Sequence, residues 1–365
     1  MKELVIVGGG PVGLSAGIFA ALQGIDATIL EQQPDIIDKA CGEGLTSGGV
    51  KLLDQLGVSI AVKRPFLGIR YRDGKQSADG HFHDGPGWGI RRTVLHEALR
   101  HRAISLGVNI LQHKVTSLQQ NDDYVSIDGI KAQYVIGADG LNSTVRKLLN
   151  LTPRPERLMR YGVRQHFYVK PWSNYVEVHW CPWAEAYVTP VSDEVVGIAL
   201  LFGDSFRKHV GSGNGTFHHR ALKSFPSLQE HLPDSCRVAS QSKGAGPFKI
   251  TLDKHVVGRV FLVGDAAGYL DPLTGEGVRL GFVTAMSAVN AILANAPESY
   301  ESQWSAITQR YRWATNSILH LRQIEFLRKL MIPTLRTCPW LFDQILMFLE
   351  SGDASSPLWD LATVK

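Results

Sequence analysis

The sequence predicts an α/β fold: a parallel-sheet domain, an antiparallel sheet inserted into it, and a helical C-terminal segment. Three observations predict it. The chain opens on a short apolar run, Leu4 to Val7, that breaks into spaced glycines and then a helical stretch, as a buried parallel strand feeding a helix does. Later runs alternate apolar and polar residues between turn signals, the period of strands that bury one face. From about Glu301 the apolar residues recur at helical spacing instead.

The bulk numbers suit an enzyme-sized globule, with 365 residues, 44% hydrophobic and 20% charged. A net charge of +4 without a basic block gives no reason to expect nucleic acid as a partner. Cys41, Cys181, Cys236 and Cys338 lie far apart and form no CxxC pair, which argues against a zinc site or a disulfide scaffold and fits a reducing cytoplasm. "MKELVIVGGGPVG" turns from strand to glycine loop within ten residues, leaving no room for a signal-peptide core, and no apolar run reaches membrane-spanning length. A cytoplasmic protein is expected.

After the first strand, Gly8, Gly10 and Gly13 stand in GxGxxG spacing ahead of the helical stretch Leu14 to Gln23, and "DATILEQ" reads as a second strand ending near Glu31. This is a Rossmann-type β-α-β unit. The first glycine permits the tight turn, the second lets a pyrophosphate reach the helix N-terminus, and the third lets helix pack on strand. Glu31, eighteen residues past Gly13, is placed to accept hydrogen bonds from both hydroxyls of an adenosine ribose. Pro11, Val12 and Gln32 complete the expected cofactor-binding set at this end.

The period then changes. "RYRDG", "HFHDGPGWGI", "YGVRQHFYV", "YVEVHW", "EAYVTPV" and "EVVGIALLF" are short alternating runs that read as an antiparallel sheet inserted in sections. Between them "TVLHEALRHRAISLG" is a helix leading into "VNILQHKV", and "AQYVIGADG" is another buried strand. In the tail, Leu319, Ile324, Phe326, Leu327, Leu330 and Met331 share a broad helical arc opposite Arg322, Glu325 and Lys329, so this stretch is expected to be one helix that buries most of its surface. No internal repeat or low-complexity segment is present.

"RVFLVGDAAG" reads as a strand ending at Asp265, and "GEGVRLGFVTAMSAVNAIL" as a long helix starting near Gly277. Asp265 then sits at a strand's carboxyl end, where open α/β sheets bind ligands. Pro272, Gly275 and Gly277 shape a loop poor in side chains that aims backbone N–H groups, with the helix's positive end, at one spot. A large flat ligand that gains negative charge satisfies this, and a flavin is one. Asp265 would hold the ribityl or ribose oxygens, and the amides of Gly275, Glu276, Gly277 and Val278 would stabilise the reduced ring.

A third motif, DGxxSxxR, runs through Asp139, Gly140, Ser143 and Arg146. With GxGxxG, DG and GD in this order over roughly residues 1 to 300, the chain resembles the FAD-dependent oxidoreductases of the p-hydroxybenzoate hydroxylase fold. The resemblance implies a discontinuous FAD-binding domain of residues 1–60, 91–155 and 251–300, a substrate domain of 61–90 and 156–250, and a C-terminal helical segment of 301–365. It implies that Arg92, with Arg91 adjacent, reaches the FAD phosphate or ribityl region. It also implies that the backbone near Val115 contacts adenine, that Asp139 lies between FAD and passing NAD(P)H, and that Arg146 holds the DG motif. One glycine fingerprint, with no second, implies that NAD(P)H visits transiently.

"KACGEGLTSGGVKLL" and GEG in place of GQG are similar to geranylgeranyl reductases and to flavin monooxygenases and halogenases of polyketide or lipid-like substrates. In that branch Cys41 would lie near the flavin ring and tune it; the alternative is a small buried residue. Glu43 would bind Lys39 or cap the helix beginning near Ser47. His166, Tyr168, His179 and Tyr187 lie on strands where one face lines a substrate pocket, or else are half-buried sheet positions with satisfied polar tips. His81 and His83 have no further ligand at metal spacing, so no metal is expected.

The expected function is therefore that of an FAD monooxygenase using NAD(P)H and oxygen to hydroxylate or epoxidise an aromatic, polyketide-like or lipid-like small molecule. The alternative is a reductase saturating prenyl double bonds. A halogenase ranks third because WxWxIP is missing, and a lipid carrier without redox turnover does not need three intact motifs. The apolar tail, with Trp340 to Phe348, is expected to close a substrate pocket, pack into the core, or rest on a membrane surface helped by Arg328, Lys329 and Arg336.

Overall fold

The computed structural model describes residues 1–154, 159–212, 216–232 and 236–350. The expected domain boundary at 155/156 and the stretch 351–365 lie outside the described residues. Strand Lys2–Val7 forms where the first apolar run requires it, and Leu4, Val5 and Ile6 are fully buried. It pairs in parallel with Ala27–Glu31 on one side and Ile130–Gly137 on the other. Asn109–Gln112 and Val260–Leu262 extend the parallel sheet outward, and a hairpin of Leu118–Gln120 and Val125–Ile127 adds antiparallel strands.

Helix Pro11–Leu22 follows the glycine loop and packs against helices Arg92–Ser105 and Gly277–Leu293. The last contact is close. A Cβ on Gly281 would lie 2.4 Å from Val12 Cγ2, so the two backbones approach only because Gly281 has no side chain. The strand expected to end at Asp265 stops at Leu262, and Gly264–Ala266 forms a single 3₁₀ turn that Gly264 enters at φ +55°.

The inserted sheet has seven strands, in the order Lys243–Ala245, Arg160–Tyr168, Val195–Gly203, Ala184–Pro190, Val176–Trp180, Gly68–Asp73 and Gln76–His81. It differs from the expectation at one seam: Val176–Trp180 runs parallel to Gly68–Asp73, with Val176 opposite Ile69. These strands come from separate chain sections, so no hairpin imposes the antiparallel sense there. A small third sheet joins Gly44–Leu45, Gly87–Gly89 and Arg64–Phe66.

Alternation along the seven-stranded sheet sorts its two faces. Ala184, Ala186 and Val188, with Val196, Ile198 and Leu200, pack beneath helices Asp204–Val210 and Phe217–Leu222. Tyr71, Val178 and Trp180 point the other way, onto Leu273 and onto Ile332, Leu335, Phe342 and Leu346 of the C-terminal helices. That inner face is the one turned toward the parallel-sheet domain, since Thr189 Oγ1 donates to the Gly42 carbonyl at 2.7 Å.

The covering helices hold a pH-sensitive group. His218 is buried, donates Nε2–H to the Ile198 carbonyl at 3.0 Å, and is pushed by burial from 6.5 to about 4. The fold binds the neutral ring, so this contribution is complete above the unfolded value and is lost as pH falls from 6.5 toward about 4. That window corresponds to roughly 3 kcal/mol. Urea titrations across it should show His218→Gln, which keeps a donor but does not titrate, with a flatter loss of stability than the parent chain.

The tail departs from expectation. It forms three helices, Ser299–Gln323, Glu325–Thr337 and Pro339–Glu350, because Ile324 leaves helical geometry at φ −94°, ψ 105°. The arc from Leu319 to Met331 is accordingly not mostly buried: Leu321, Ile324, Phe326 and Leu330 are exposed, while Leu319 and Met331 are partly covered. Among the described residues no helix is long and apolar enough to cross a membrane.

Candidate functional site: a glycine loop facing a GEG turn

The glycine loop is pinned from both sides. Glu31 Oε2 accepts the Gly9 N–H at 2.6 Å, Oε1 accepts the Gln33 N–H at 2.8 Å, and His96 Nε2–H donates to the Gly9 carbonyl at 2.9 Å. Each Glu31 oxygen keeps a lone pair for a further donor, so the carboxylate is oriented and still able to accept ribose hydroxyls. Burial, with Arg92 close by, holds the His96 imidazole below its ordinary value, so it sits there neutral.

Three glycines behave differently. A Cβ on Gly13 would lie 1.8 Å from the Gly8 carbonyl oxygen, and Gly8 itself stands at φ +106° with a Cβ position 2.6 Å from the Ala138 oxygen. At Gly10 the nearest atom is Arg92 Nη2, 3.9 Å away, and the backbone has an ordinary φ of −68°. Gly10 thus opens onto a cradle bounded by the Arg92 guanidinium, beside the helix N–H groups that precede the first helical bond, Leu14 N–H to the Gly10 carbonyl at 2.9 Å. Pro11 and Val12 form that first turn. Gln32 is exposed, and Val115 buries its side chain in the core, which leaves its backbone as the part a ligand can meet.

Beyond strand Ile130–Gly137, Asp139 Oδ2 accepts the N–H groups of Thr144 and Val145 at 2.6 and 3.1 Å and so caps helix Thr144–Leu148. Its Oδ1 is buried with no hydrogen-bond partner. Arg146 ties this loop to the GD turn, donating to the Leu141 carbonyl at 2.7 Å and the Ala266 carbonyl at 3.1 Å. Asp265 is half-buried. Burial pushes its carboxyl up, and the cations Arg92 and Lys39 draw it back. The Gly10 cradle, the orphaned Asp139 oxygen and the Asp265 carboxyl beside two cations fit a ligand with a pyrophosphate and a hydroxylated chain, which is what FAD presents.

In the GEG turn Gly275 is left-handed at φ +73° and its N–H closes the turn on the Pro272 carbonyl at 3.1 Å. The amide array expected at Gly275 to Val278 is therefore shorter. Gly277 and Val278 open helix Gly277–Leu293 and precede its first internal bond, Leu280 N–H to the Glu276 carbonyl, whereas Gly275 is already engaged. Glu276, expected in the catalytic set, is buried with its carboxylate on Arg279, whose Nη2 donates to the Leu349 carbonyl at 2.9 Å. It anchors the turn to the last helix.

Cys41 is a free, half-buried thiol whose Sγ accepts the Glu43 N–H at 3.4 Å. It lies within electrostatic reach of Tyr269, whose hydroxyl is held well above its ordinary value by burial and by Tyr311, Asp265, Asp271 and Cys41. Glu43 neither binds Lys39 nor caps the Ser47 helix. It adopts φ +61°, unusual for a residue with a side chain, and its buried carboxylate accepts the Arg92 N–H at 2.8 Å and meets His166 Nε2 at 2.5 Å. His166 Nδ1 in turn lies 2.7 Å from Ser240 Oγ.

Of the four strand residues expected at a substrate wall, Tyr187 is on the inner face at the turn, donating its hydroxyl to the Leu273 carbonyl at 2.9 Å. His166 is on that face but fully buried in the Glu43 and Ser240 chain. His179 does not face the site: alternation turns it outward with Glu177, and its ring bonds Ser227 Oγ at 2.8 Å and Glu177 Oε2 at 3.1 Å. Tyr168 ends its strand exposed, beneath the Arg237 guanidinium at 4.1 Å.

Sequence reasoning missed His96, although it stands four residues beyond Arg92 on one helix face, a spacing that was legible. It also missed the buried set of Arg160, Glu185 and Asp271. There Arg160 Nη1 donates to both Asp271 oxygens at 3.0 and 2.9 Å and Nη2 to Glu185 Oε2 at 2.5 Å. Those residues are far apart in the chain, and only the fold joins them. Among the described residues no group of His, Cys, Asp and Glu is arranged to hold a metal ion.

A glycine-loop cradle, a GD turn and a GEG helix start fit a flavin-dependent oxidoreductase. The sequence model of the FAD binding domain family matches residues 1–299, and the chain belongs to that family, with the p-hydroxybenzoate hydroxylase fold. It is 25% identical to a menaquinone reductase of Mycolicibacterium smegmatis over 85% of this chain and 80% of that one. It is also 25% identical to digeranylgeranylglycerophospholipid reductase 1 of Methanothermobacter thermautotrophicus, over 81% and 78% of the two chains. Among solved structures, a flavoprotein/dehydrogenase from Cytophaga hutchinsonii superposes with a TM-score of 0.84 at 18% identity, over 99% of this chain and 98% of that one.

Proposed function

We propose that this chain is an NAD(P)H-dependent FAD monooxygenase that hydroxylates or epoxidises a hydrophobic aromatic or polyketide-like molecule. Residues 1–60, 91–155 and 251–300 would hold the cofactor, and 61–90 and 156–250 would supply the substrate wall. The observation that carries the reading is a pair of tyrosines at the GEG turn, Tyr187 from the inner sheet face and Tyr269, whose ring would lie 3.5 Å from a Cβ on Gly277. Tyr187 is fixed there through the Leu273 carbonyl, and Tyr269 packs on Phe248 with ring centroids 5.5 Å apart. Aromatic walls favour a flat apolar ligand over a small polar one.

Bound FAD would supply the two-electron and oxygen chemistry. Gly10, Pro11, Val12 and Arg92 would bind its pyrophosphate, Glu31 its ribose and Asp265 its ribityl hydroxyls. The Gly277 and Val278 amides, with the helix's positive end, would stabilise negative charge on the reduced ring. The sheet wall would exclude water. With one glycine loop given to FAD, NAD(P)H would bind weakly and leave after reduction.

A second reading, a reductase acting on isolated prenyl double bonds, is favoured by the similarity to the menaquinone reductase and the digeranylgeranylglycerophospholipid reductase above. Purified protein supplied with NAD(P)H, ¹⁸O₂ and a panel of phenols, polyketides and prenyl lipids separates them. The monooxygenase yields a product carrying one labelled oxygen. A saturated, unlabelled product that also forms without oxygen overturns it in favour of the reductase.

A further inference from the structure

Each of the three C-terminal helices buries one side and leaves an apolar stripe on the other. In Ser299–Gln323 the outward residues include Trp313 and Leu321; in Glu325–Thr337 they are Phe326 and Leu330, opposite buried Ile332 and Leu335. In Pro339–Glu350 they are Trp340, Met347 and Phe348, opposite buried Phe342, Leu346 and Leu349. The exposures are large: 65% for Trp313, 69% for Phe326 and 65% for Trp340. The first and third stripes meet, since the Trp313 and Phe348 rings lie 5.9 Å apart, edge to face. Exposed apolar surface on this scale marks an interaction face.

Charge points to the occupant. Residues 299–350, which make up the three helices, hold six basic and four acidic side chains, a surplus of +2 that is half the net charge of the entire chain. All four acids are engaged: Glu301 with His255, Glu325 with Lys329, Asp343 with the His81 N–H and Glu350 with the Ser47 hydroxyl. Arg310 lies over the Phe348 ring at 5.4 Å, so a cation borders the apolar stripe itself. Arg328, in contrast, is buried on Asp73 and takes no part, which corrects its expected place among the surface cations. Tryptophan and phenylalanine flanked by basic residues match the boundary between lipid headgroups and acyl chains, where amphipathic helices lie in the plane of a membrane.

We propose that these three helices form a docking face that rests on an anionic lipid bilayer, with Trp313, Phe326 and Trp340 entering the headgroup boundary. No helix among the described residues can span a membrane, so the attachment is peripheral. This holds whichever reaction the flavin site performs.

The test is flotation of the full-length, FAD-loaded protein with vesicles of phosphatidylcholine alone or mixed with phosphatidylglycerol. The protein should float with the mixed vesicles, detach as salt rises, and show tryptophan emission quenched by brominated acyl chains. Phe326→Ala with Trp340→Ala, both exposed positions, should lower the bound fraction at least about tenfold while FAD content and circular dichroism stay unchanged. The quenching measurement on the unaltered chain stands even if that variant misfolds. Absence of flotation with anionic vesicles overturns the proposal. So does a concentration-dependent dimer that the double variant abolishes, which would make a second copy the occupant, or lipid binding that appears only once residues 351–365 are removed.

Discussion

Gly10→Ala is expected to give a folded protein that has lost FAD, whereas Gly13→Ala is expected not to fold. At Gly10 the backbone angles suit any residue and the added methyl meets nothing closer than Arg92 Nη2 at 3.9 Å, so the empty protein tolerates it. The methyl instead fills the space the pyrophosphate needs. A rise in the FAD dissociation constant of at least about 100-fold, or roughly 3 kcal/mol, is the expected size. At Gly13 the methyl would stand 1.8 Å from the Gly8 carbonyl oxygen, inside the backbone of the turn that begins the fold, and the cost should exceed about 4 kcal/mol. Flavin absorbance after gel filtration and urea unfolding separate the cases. Retained yellow protein in Gly10→Ala would place the pyrophosphate elsewhere.

Arg160→Met is expected to be the most damaging change on the sheet side. Its guanidinium lies between Glu185 and Asp271, which are 0% and 2% exposed, and a methionine removes the cation while leaving both carboxylates buried. Breaking such an arrangement from one side costs about 3–5 kcal/mol. The effect should reach the cofactor, because Asp271 Oδ1 accepts the Leu273 N–H at 3.0 Å and so shapes the turn leading into GEG. Weaker FAD binding should accompany the lowered urea midpoint. Adding Glu185→Leu should recover part of the stability, since it removes one of the two buried carboxylates that Arg160 faces. An unchanged midpoint in the single variant would contradict the assignment.

The glycine-loop end of the candidate site was legible because its parts are local. Strand, Gly8, Gly10, Gly13, helix and Glu31 lie within one β-α-β unit, and the close approaches at Gly8 and Gly13 are what glycine spacing encodes. The sheet side was less legible because its chemistry is made by distant pairs. Nothing near Glu43 announces His166, 123 residues away, or Ser240 beyond it. His179 shows the limit of alternation as a guide: strand period gives two faces but does not say which one turns toward the parallel-sheet domain. The parallel seam at Val176 escaped for the same reason, being set by the pairing of distant chain sections rather than by local pattern.

A crystal structure of the yellow, FAD-loaded protein tests the central claim most directly. The account predicts the pyrophosphate over Gly10 and within reach of Arg92, ribityl hydroxyls on Asp265, and the flavin ring between the Gly277 helix start and the Tyr187 face of the inserted sheet. A flavin bound with the Gly10 cradle open, or with its ring turned away from that sheet face, would contradict it.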